Sequence, residues 1–333
     1  AAAHGGRQSI EQWTSCATWE PLPGAPAPAD VVSPGPTVWL VSGRDSSRIE
    51  ALSDVLRASE VSGERGDSVV CIDTDAPAWD DSALAGADNV HLFYILPAVA
   101  DSTCSASADF LALAPGLIEA ASGRPCALTA IATASLALAP SEALTPAVAG
   151  ARGALTVLGQ EHPELRTRWL DLNFDHPAWI RAAADELVGD GASLAPLVAL
   201  RGYQRFAPKY RPAVLAPARS SAFREGGAYL LTGGTGGICV ELAEYLARNY
   251  RARVALLSRT ASGDANRSLV NTIEAAGGQA MLLRADVTKG DELRAAIGQM
   301  YEHWGSIDGV IHAAGVSGEA ALSPLLDTDA VAW

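Results

Sequence analysis

Ala228-Tyr229-Leu230-Leu231-Thr232-Gly233-Gly234-Thr235-Gly236-Gly237-Ile238-Cys239 is the stretch that decides how this chain is read. Its first five residues read as a strand. Ile238, Leu242, Tyr245 and Leu246 then recur at i, i+4, i+7 and i+8, which is one face of a helix. Between strand and helix, Gly233 supplies a tight turn and Gly237 lets backbone approach a diphosphate. The first amides of the helix and its positive dipole end would face that anion. A glycine cluster by itself is an ordinary loop; strand, spacing and helix together are the setting of a dinucleotide-binding unit.

The alternation continues downstream. Strands are predicted at 253–257, 280–283 and 307–311. Helices are marked by Leu269, Val270, Ile273 and Ala276, stopped at Gly277-Gly278, and by Leu293, Ile297 and Met300. A further helix is expected to begin at Leu325. The second strand ends in Ser258-Arg259, where a cofactor lacking the 2′-phosphate would call for an acidic residue. A guanidinium there suits a 2′-phosphate, so NADPH is preferred over NADH, unless Arg259 is merely a solvated arginine. Asp286-Val287 closes the third strand, placed to meet an adenine. The fourth closes on His312-Ala313-Ala314-Gly315, with His312 read as a packed strand residue rather than a proton-transfer group.

Upstream, strands are predicted at 37–41, 68–72, 90–96, 127–131, 169–172 and 197–200, with another leading in at 13–22. Helical patterns lie at 106–121, 146–159 and 179–188, and Ile49, Leu52 and Leu56 mark one more. Pro146 after Thr145 reads as the first helical residue after a cap. Here Gly43 stands alone after its strand, and Asp45 would repel a phosphate, so this half reads as scaffold. Asp171 and Asp175 are candidates for an acid/base pair, but capping or loop roles suit both better. The Pro-, Ala- and Ser-rich RPAVLAPARSSAFREGG (211–227) separates the halves. The expectation is α/β: two Rossmann-like parallel-sheet subdomains, a structural one at 11–212 and a nucleotide-binding one at 226–333, joined by a linker at 213–225. The second supplies four strands against about six in a full doubly wound sheet, so it reads as incomplete at its C-terminal side.

Composition supports two folded units: 333 residues, 49% hydrophobic and 19% charged. A net charge of -14 argues against a nucleic-acid footprint or attraction to anionic membranes. No apolar run is long enough for a membrane span, and the start lacks the pattern of a secretory signal. Cys16, Cys71, Cys104, Cys126 and Cys239 are scattered, which fits buried reduced thiols in a cytoplasmic protein rather than disulfides or a metal site.

GGAYLLTGGTGGICVELAEYLA, LLSRT, ADVT and GSIDGVIHAAGV together resemble the ketoreductase domain of a type I polyketide synthase, in the extended short-chain dehydrogenase/reductase family. TWEPLP, WLVSG, ALTVLGQEHPEL and TRWLDL resemble that family's N-terminal structural subdomain, a truncated Rossmann-like fold without a cofactor site. The resemblance implies NADPH-dependent reduction of a β-keto thioester, carried by an acyl carrier protein, to the β-hydroxy thioester. It also implies neighbouring synthase domains as partners. It assigns Gly233, Gly234, Thr235, Gly236, Gly237 and Ile238 to the pyrophosphate and Ser258 and Arg259 to the 2′-phosphate. Asp286 and Val287 fall to the adenine, and Ala313, Ala314 and Gly315 to the ribose and nicotinamide side.

Two departures stand out. Cys239 replaces a third glycine that serves close helix–strand packing, which is expected to shift the helix slightly and loosen dinucleotide affinity. The family's catalytic tyrosine, serine, lysine and asparagine fall after Trp333. Tyr245 and Tyr301 lack the family's surrounding sequence, so no catalytic residue is assigned and the chain alone is expected to be inactive. A shortened, inactive ketoreductase acting as a structural module is the alternative.

Overall fold

The computed structural model describes residues 14–23, 35–59, 67–73, 84–97, 106–121, 123–188, 195–214, 220–260, 264–315 and 323–327. They fall into two compact units, Ala1–Leu215 with Ser323–Trp333, and Ala216–Leu322.

The first unit is built on an eight-stranded sheet. Its strands are β1 (Ser15–Pro21), β2 (Thr37–Gly43), β3 (Ser68–Asp73), β4 (Asn89–Ile95), β5 (Cys126–Ala132), β6 (Leu165–Asp171), β7 (Leu197–Arg201) and β8 (Gln204–Pro212). The order is β1-β8-β7-β6-β5-β4-β2-β3, with β2 to β7 parallel. Helices α1 (Ser46–Ala58), α2 (Ala106–Ala121), α3 (Pro146–Glu161) and α4 (Trp179–Val188) cover it. Alternation along β2 sorts its side chains: Val38 and Leu40 join a core with α2 and α3, and Trp39 and Val41 one with α1 and α4. Ile49, Leu52 and Leu56, the predicted helix stripe, lie in the second of these cores.

β8 was not visible in the sequence. Pro208 and Pro212 argue against a ladder, and 211–227 reads as linker. In the structure, the two residues Gly202-Tyr203 turn the chain into a strand antiparallel to both β7 and β1. The prolines are tolerated because β7 pairs only as far as Phe206, so Pro208 has a neighbour on one side alone. Arg205 ties β8 down: its guanidinium and that of Arg168 on β6 share the buried Glu186 carboxylate at 2.5–3.0 Å.

The second unit contains β9 (Ala228–Thr232), α5 (Gly237–Tyr250), β10 (Arg253–Ser258), α6 (Asp264–Ala275), β11 (Gln279–Arg284), α7 (Gly290–Trp304) and β12 (Gly309–His312). The sheet order is β11-β10-β9-β12, all parallel. Two strands lie on one side of β9 before the chain crosses over, whereas in the first unit it crosses after one. Leu231, Cys239, Leu246 and Ile273 form one core, and Leu230, Leu257, Ala296 and Met300 the other. At the lower edge Asp308 accepts from the Ala228 amide (2.9 Å) and from Arg224 (2.6 Å). The amide bond, ahead of the charge of Arg224, holds its carboxyl below the ordinary range.

Of the helix expected from Leu325, the described residues Leu325–Asp327 form a 3-10 turn, and residues 328–333 lie outside those described. The turn belongs to the first unit, with Leu325 buried beside α2 and α3 and its amide donating to Glu161 Oε2 (2.8 Å).

Candidate nucleotide-binding site

The turn from β9 into α5 is set by backbone packing. Gly233 adopts φ +68°, and a Cβ there would lie 2.7 Å from the Ala313 carbonyl oxygen. A Cβ on Gly234 would lie 2.6 Å from the Leu256 Cα. These glycines bring β9, β10 and the end of β12 together. Gly237 differs: a Cβ there meets nothing within 4 Å among the described residues, which leave the space before it open.

α5 begins without a cap. Gly236 has no side chain to offer, and its carbonyl takes the Val240 amide (3.0 Å). The amides of Gly237, Ile238 and Cys239 have no acceptor among the described residues. Three unpaired N–H groups at a positive helix end, fronted by open space, are a set of donors suited to a diphosphate. Ile238 is exposed at this same end. Cys239, in contrast, fits its place: it is buried in the core, and its thiol points at the Thr232 carbonyl at 3.6 Å. Burial pushes that thiol's pKa up, making it an inert packing group.

The other predicted positions lie on the same carboxyl end of the sheet. Ser258 ends β10, and its buried Oγ has no hydrogen-bond partner among the described residues. Arg259 follows, exposed and without an ion pair among the described residues. An unsatisfied hydroxyl beside a free guanidinium matches the chemistry of a phosphate ester. Asp286 follows β11; its Oδ1 accepts from the Thr288 amide (3.0 Å) and hydroxyl (2.8 Å). These bonds, with the nearby charges of Arg259 and Lys289, hold it below the ordinary carboxylate range. Val287 packs against the α7-side core. Ala313 and Ala314 follow β12, and their amides donate to Thr232 Oγ1 at 3.2 and 3.3 Å. Gly315 meets open space.

Sequence reading missed Thr232, which is buried and joins three partners, because its neighbours arrive from a strand 80 residues away. His312, expected to be packed, is exposed on the outer strand β12 and bonds to Thr232 Oγ1 at 2.7 Å. Tyr245 and Tyr301 are exposed on α5 and α7, away from strand ends. A hydrogen bond with Tyr250 raises the pKa of Tyr245, contrary to what a proton donor near neutrality needs.

The corresponding turn of the first unit is closed. A Cβ on Gly43 would lie 2.5 Å from the Ile95 carbonyl, so strand packing alone requires that glycine. Asp45 caps α1, accepting from the Arg48 amide (3.2 Å) and the Ser47 hydroxyl (2.6 Å) and pairing with the Arg48 guanidinium (2.7 Å). Nearby, Asp171 is a clamp. It is wholly buried; Oδ2 accepts from the Ser135 amide and hydroxyl and the Leu136 amide, and Oδ1 from Arg201 (2.9 Å). Asp175 instead sits in a turn, its amide donating to Asn173 Oδ1 (2.9 Å).

No cluster of potential metal ligands occurs among the described residues, and no helix among them is long and apolar enough to cross a membrane. Cys126 and Cys239 are buried, but Cys16 and Cys71 are exposed, which corrects the expectation of buried thiols; Cys104 lies outside the described residues.

Known proteins share parts of this chain's sequence and its fold. Residues 227–332 match the family model of the KR domain. Polyketide synthase ThaG of Burkholderia thailandensis is 31% identical over 196 residues, 59% of this chain and 3% of that protein. Polyketide synthase GfsB of Streptomyces halstedii is 27% identical, covering 95% of this chain and 6% of its own. The chain thus spans a small part of these relatives. Among solved structures, the first ketoreductase of the tylosin polyketide synthase aligns with a TM-score of 0.66 at 23% identity, over 93% of this chain and 64% of that one. A C2-type ketoreductase from a modular polyketide synthase gives 0.64 at 22%, over 96% and 68%. The fold is that of these α/β ketoreductases. Residues 227–332 are thus similar to KR domains, and the chain as a whole shares the fold of polyketide-synthase ketoreductases.

Proposed function

We propose that this chain carries the scaffold and the NADPH-binding half of a β-ketoacyl reductase, which reduces a carrier-protein-bound β-keto thioester to the β-hydroxy thioester. The observation that carries the reading is the uncapped start of α5: three unpartnered amides facing open space at Gly237. Gly233 to Ile238 would receive the diphosphate, and Ser258 with Arg259 the 2′-phosphate. Asp286 and Val287 would border the adenine, and Ala313, Ala314 and Gly315 the ribose and nicotinamide. When bound, the reduced nicotinamide supplies a hydride. An acyl carrier protein and adjoining synthase domains are the proposed partners. We also retain the division into a structural subdomain at 11–212, a linker at 213–225 and a nucleotide-binding subdomain from 226.

Fluorescence titration of the 333-residue chain with NADPH and NADH tests this reading. NADPH is expected to bind at least tenfold tighter, and equal affinities would overturn the phosphate assignment. Tyr245 and Tyr301 are exposed on α5 and α7, and the pKa of Tyr245 is raised. The same chain is therefore expected to show no turnover of a β-keto thioester with NADPH, and measurable turnover would refute that.

A further inference from the structure

We infer that His312 is a positioning residue: it fixes the Thr232 hydroxyl so that this hydroxyl clamps Ala313-Ala314 against the glycine turn. The bonding capacity of one oxygen requires this. A threonine hydroxyl has one hydrogen and two lone pairs. The Ala314 amide (3.3 Å) donates into Thr232 Oγ1, and the Ala313 amide (3.2 Å) divides between Oγ1 and the Thr232 carbonyl (3.2 Å), so both lone pairs of Oγ1 face an N–H. The remaining partner, His312 Nδ1 at 2.7 Å, must therefore receive the hydroxyl hydrogen. That makes Nδ1 an acceptor and places the ring proton on Nε2.

The register holds the three groups together, because His312 on β12 pairs with Thr232 on β9. The Thr232 carbonyl shares the Ala313 amide (3.2 Å) and meets the Cys239 thiol (3.6 Å), but it takes no bond from Ala314. Ala314 depends on the hydroxyl alone. Without an acceptor at 312, the hydroxyl is free to rotate, and its lone pairs lose their fixed direction. The wall that slackens is the one against Gly233, where a Cβ would lie only 2.9 Å from the Ala314 Cα. Because His312 is exposed, replacing it opens no core. Its consequence for binding rests on the proposed cofactor reading; the clamp itself does not.

The test uses the full chain and His312→Ala and His312→Asn variants. Asn carries an acceptor near the position of Nδ1. Ring nitrogen-15 shifts without nucleotide should show a bare Nδ1 and a protonated Nε2. In His312→Ala, exchange of the Ala314 amide should quicken about tenfold and NADPH affinity fall three- to tenfold, with His312→Asn restoring both. A proton on Nδ1, or unchanged exchange in His312→Ala, overturns the proposal. If the parent chain binds no NADPH, the cofactor reading fails, and exchange still decides the clamp: faster exchange upholds it and unchanged exchange rejects it.

Discussion

Two turns occupy the same place in the two units, and their helices begin in opposite ways. Ser42-Gly43-Arg44-Asp45 closes β2 and leads into α1; Thr232 to Gly236 closes β9 and leads into α5. In the first, a carboxylate fills the positive end of the helix and is itself neutralised by Arg48. In the second, no side chain caps the helix, and three amides remain unpaired before open space. An unsatisfied helix start is costly unless water or a ligand satisfies it. One fold theme thus closes one helix start with an aspartate and leaves the other, capped by Gly236, without a side-chain bond; in the proposed reading the second start serves binding.

The contrast breaks most visibly at Asp171, the clamp of the first unit. Asp171→Ala strands the Ser135 and Leu136 amides and takes from Arg201 one of its two carboxylate partners, Glu142 (2.7 Å) remaining. It should lower unfolding free energy by about 3–5 kcal/mol in chemical denaturation, the usual cost of breaking a buried pair. NADPH affinity measured under native conditions should not change. A matching loss of affinity would make the first unit part of the binding site.

Next in size is Arg259→Ala. Removing a charge-assisted bond to a phosphate is expected to weaken NADPH binding by about 1.5–3 kcal/mol and leave NADH unaffected. Gly237→Asp places an acidic side chain in the first turn of α5, one residue past the Gly236 cap. It should weaken NADPH binding about tenfold, or about 1.4 kcal/mol, while thermal stability holds or rises, because an acidic residue suits a helix start. A drop in both would mean that the space before Gly237 is needed for packing.

Asp45→Ala is the smallest change, with an expected loss of about 1 kcal/mol and no gain of nucleotide binding. Its pH dependence has a definite sign. The Ser47 hydroxyl, and then the Arg48 amide and charge, hold the Asp45 carboxyl below its ordinary 3.8. Its stabilisation is present above that value and disappears as pH falls through the lowered one. Acid unfolding of the parent should therefore be steeper than that of Asp45→Ala in this range.

Local patterns were legible where the physics is local. The alternating strands, the stripe Ile49, Leu52, Leu56 and the glycine turn each declare themselves within a few residues. β8 did not, because its prolines are tolerated only through one-sided pairing with β1, nearly 200 residues earlier in the chain. The exposure of Cys16 and Cys71, and the short turn at Leu325, depend likewise on which neighbours arrive from elsewhere.

By itself, the sequence determined that strands and helices alternate, and that one strand–helix turn is rich in glycine while its counterpart carries an aspartate. These follow from side-chain periodicity and backbone freedom, which need no distant partner. Only the tertiary structure decided that Gly233 and Gly234 serve packing while Gly237 faces open space, and that Thr232 joins His312 to Ala313 and Ala314. The reason is that a hydrogen bond or a close approach is a property of two places in the chain, and folding alone brings them together.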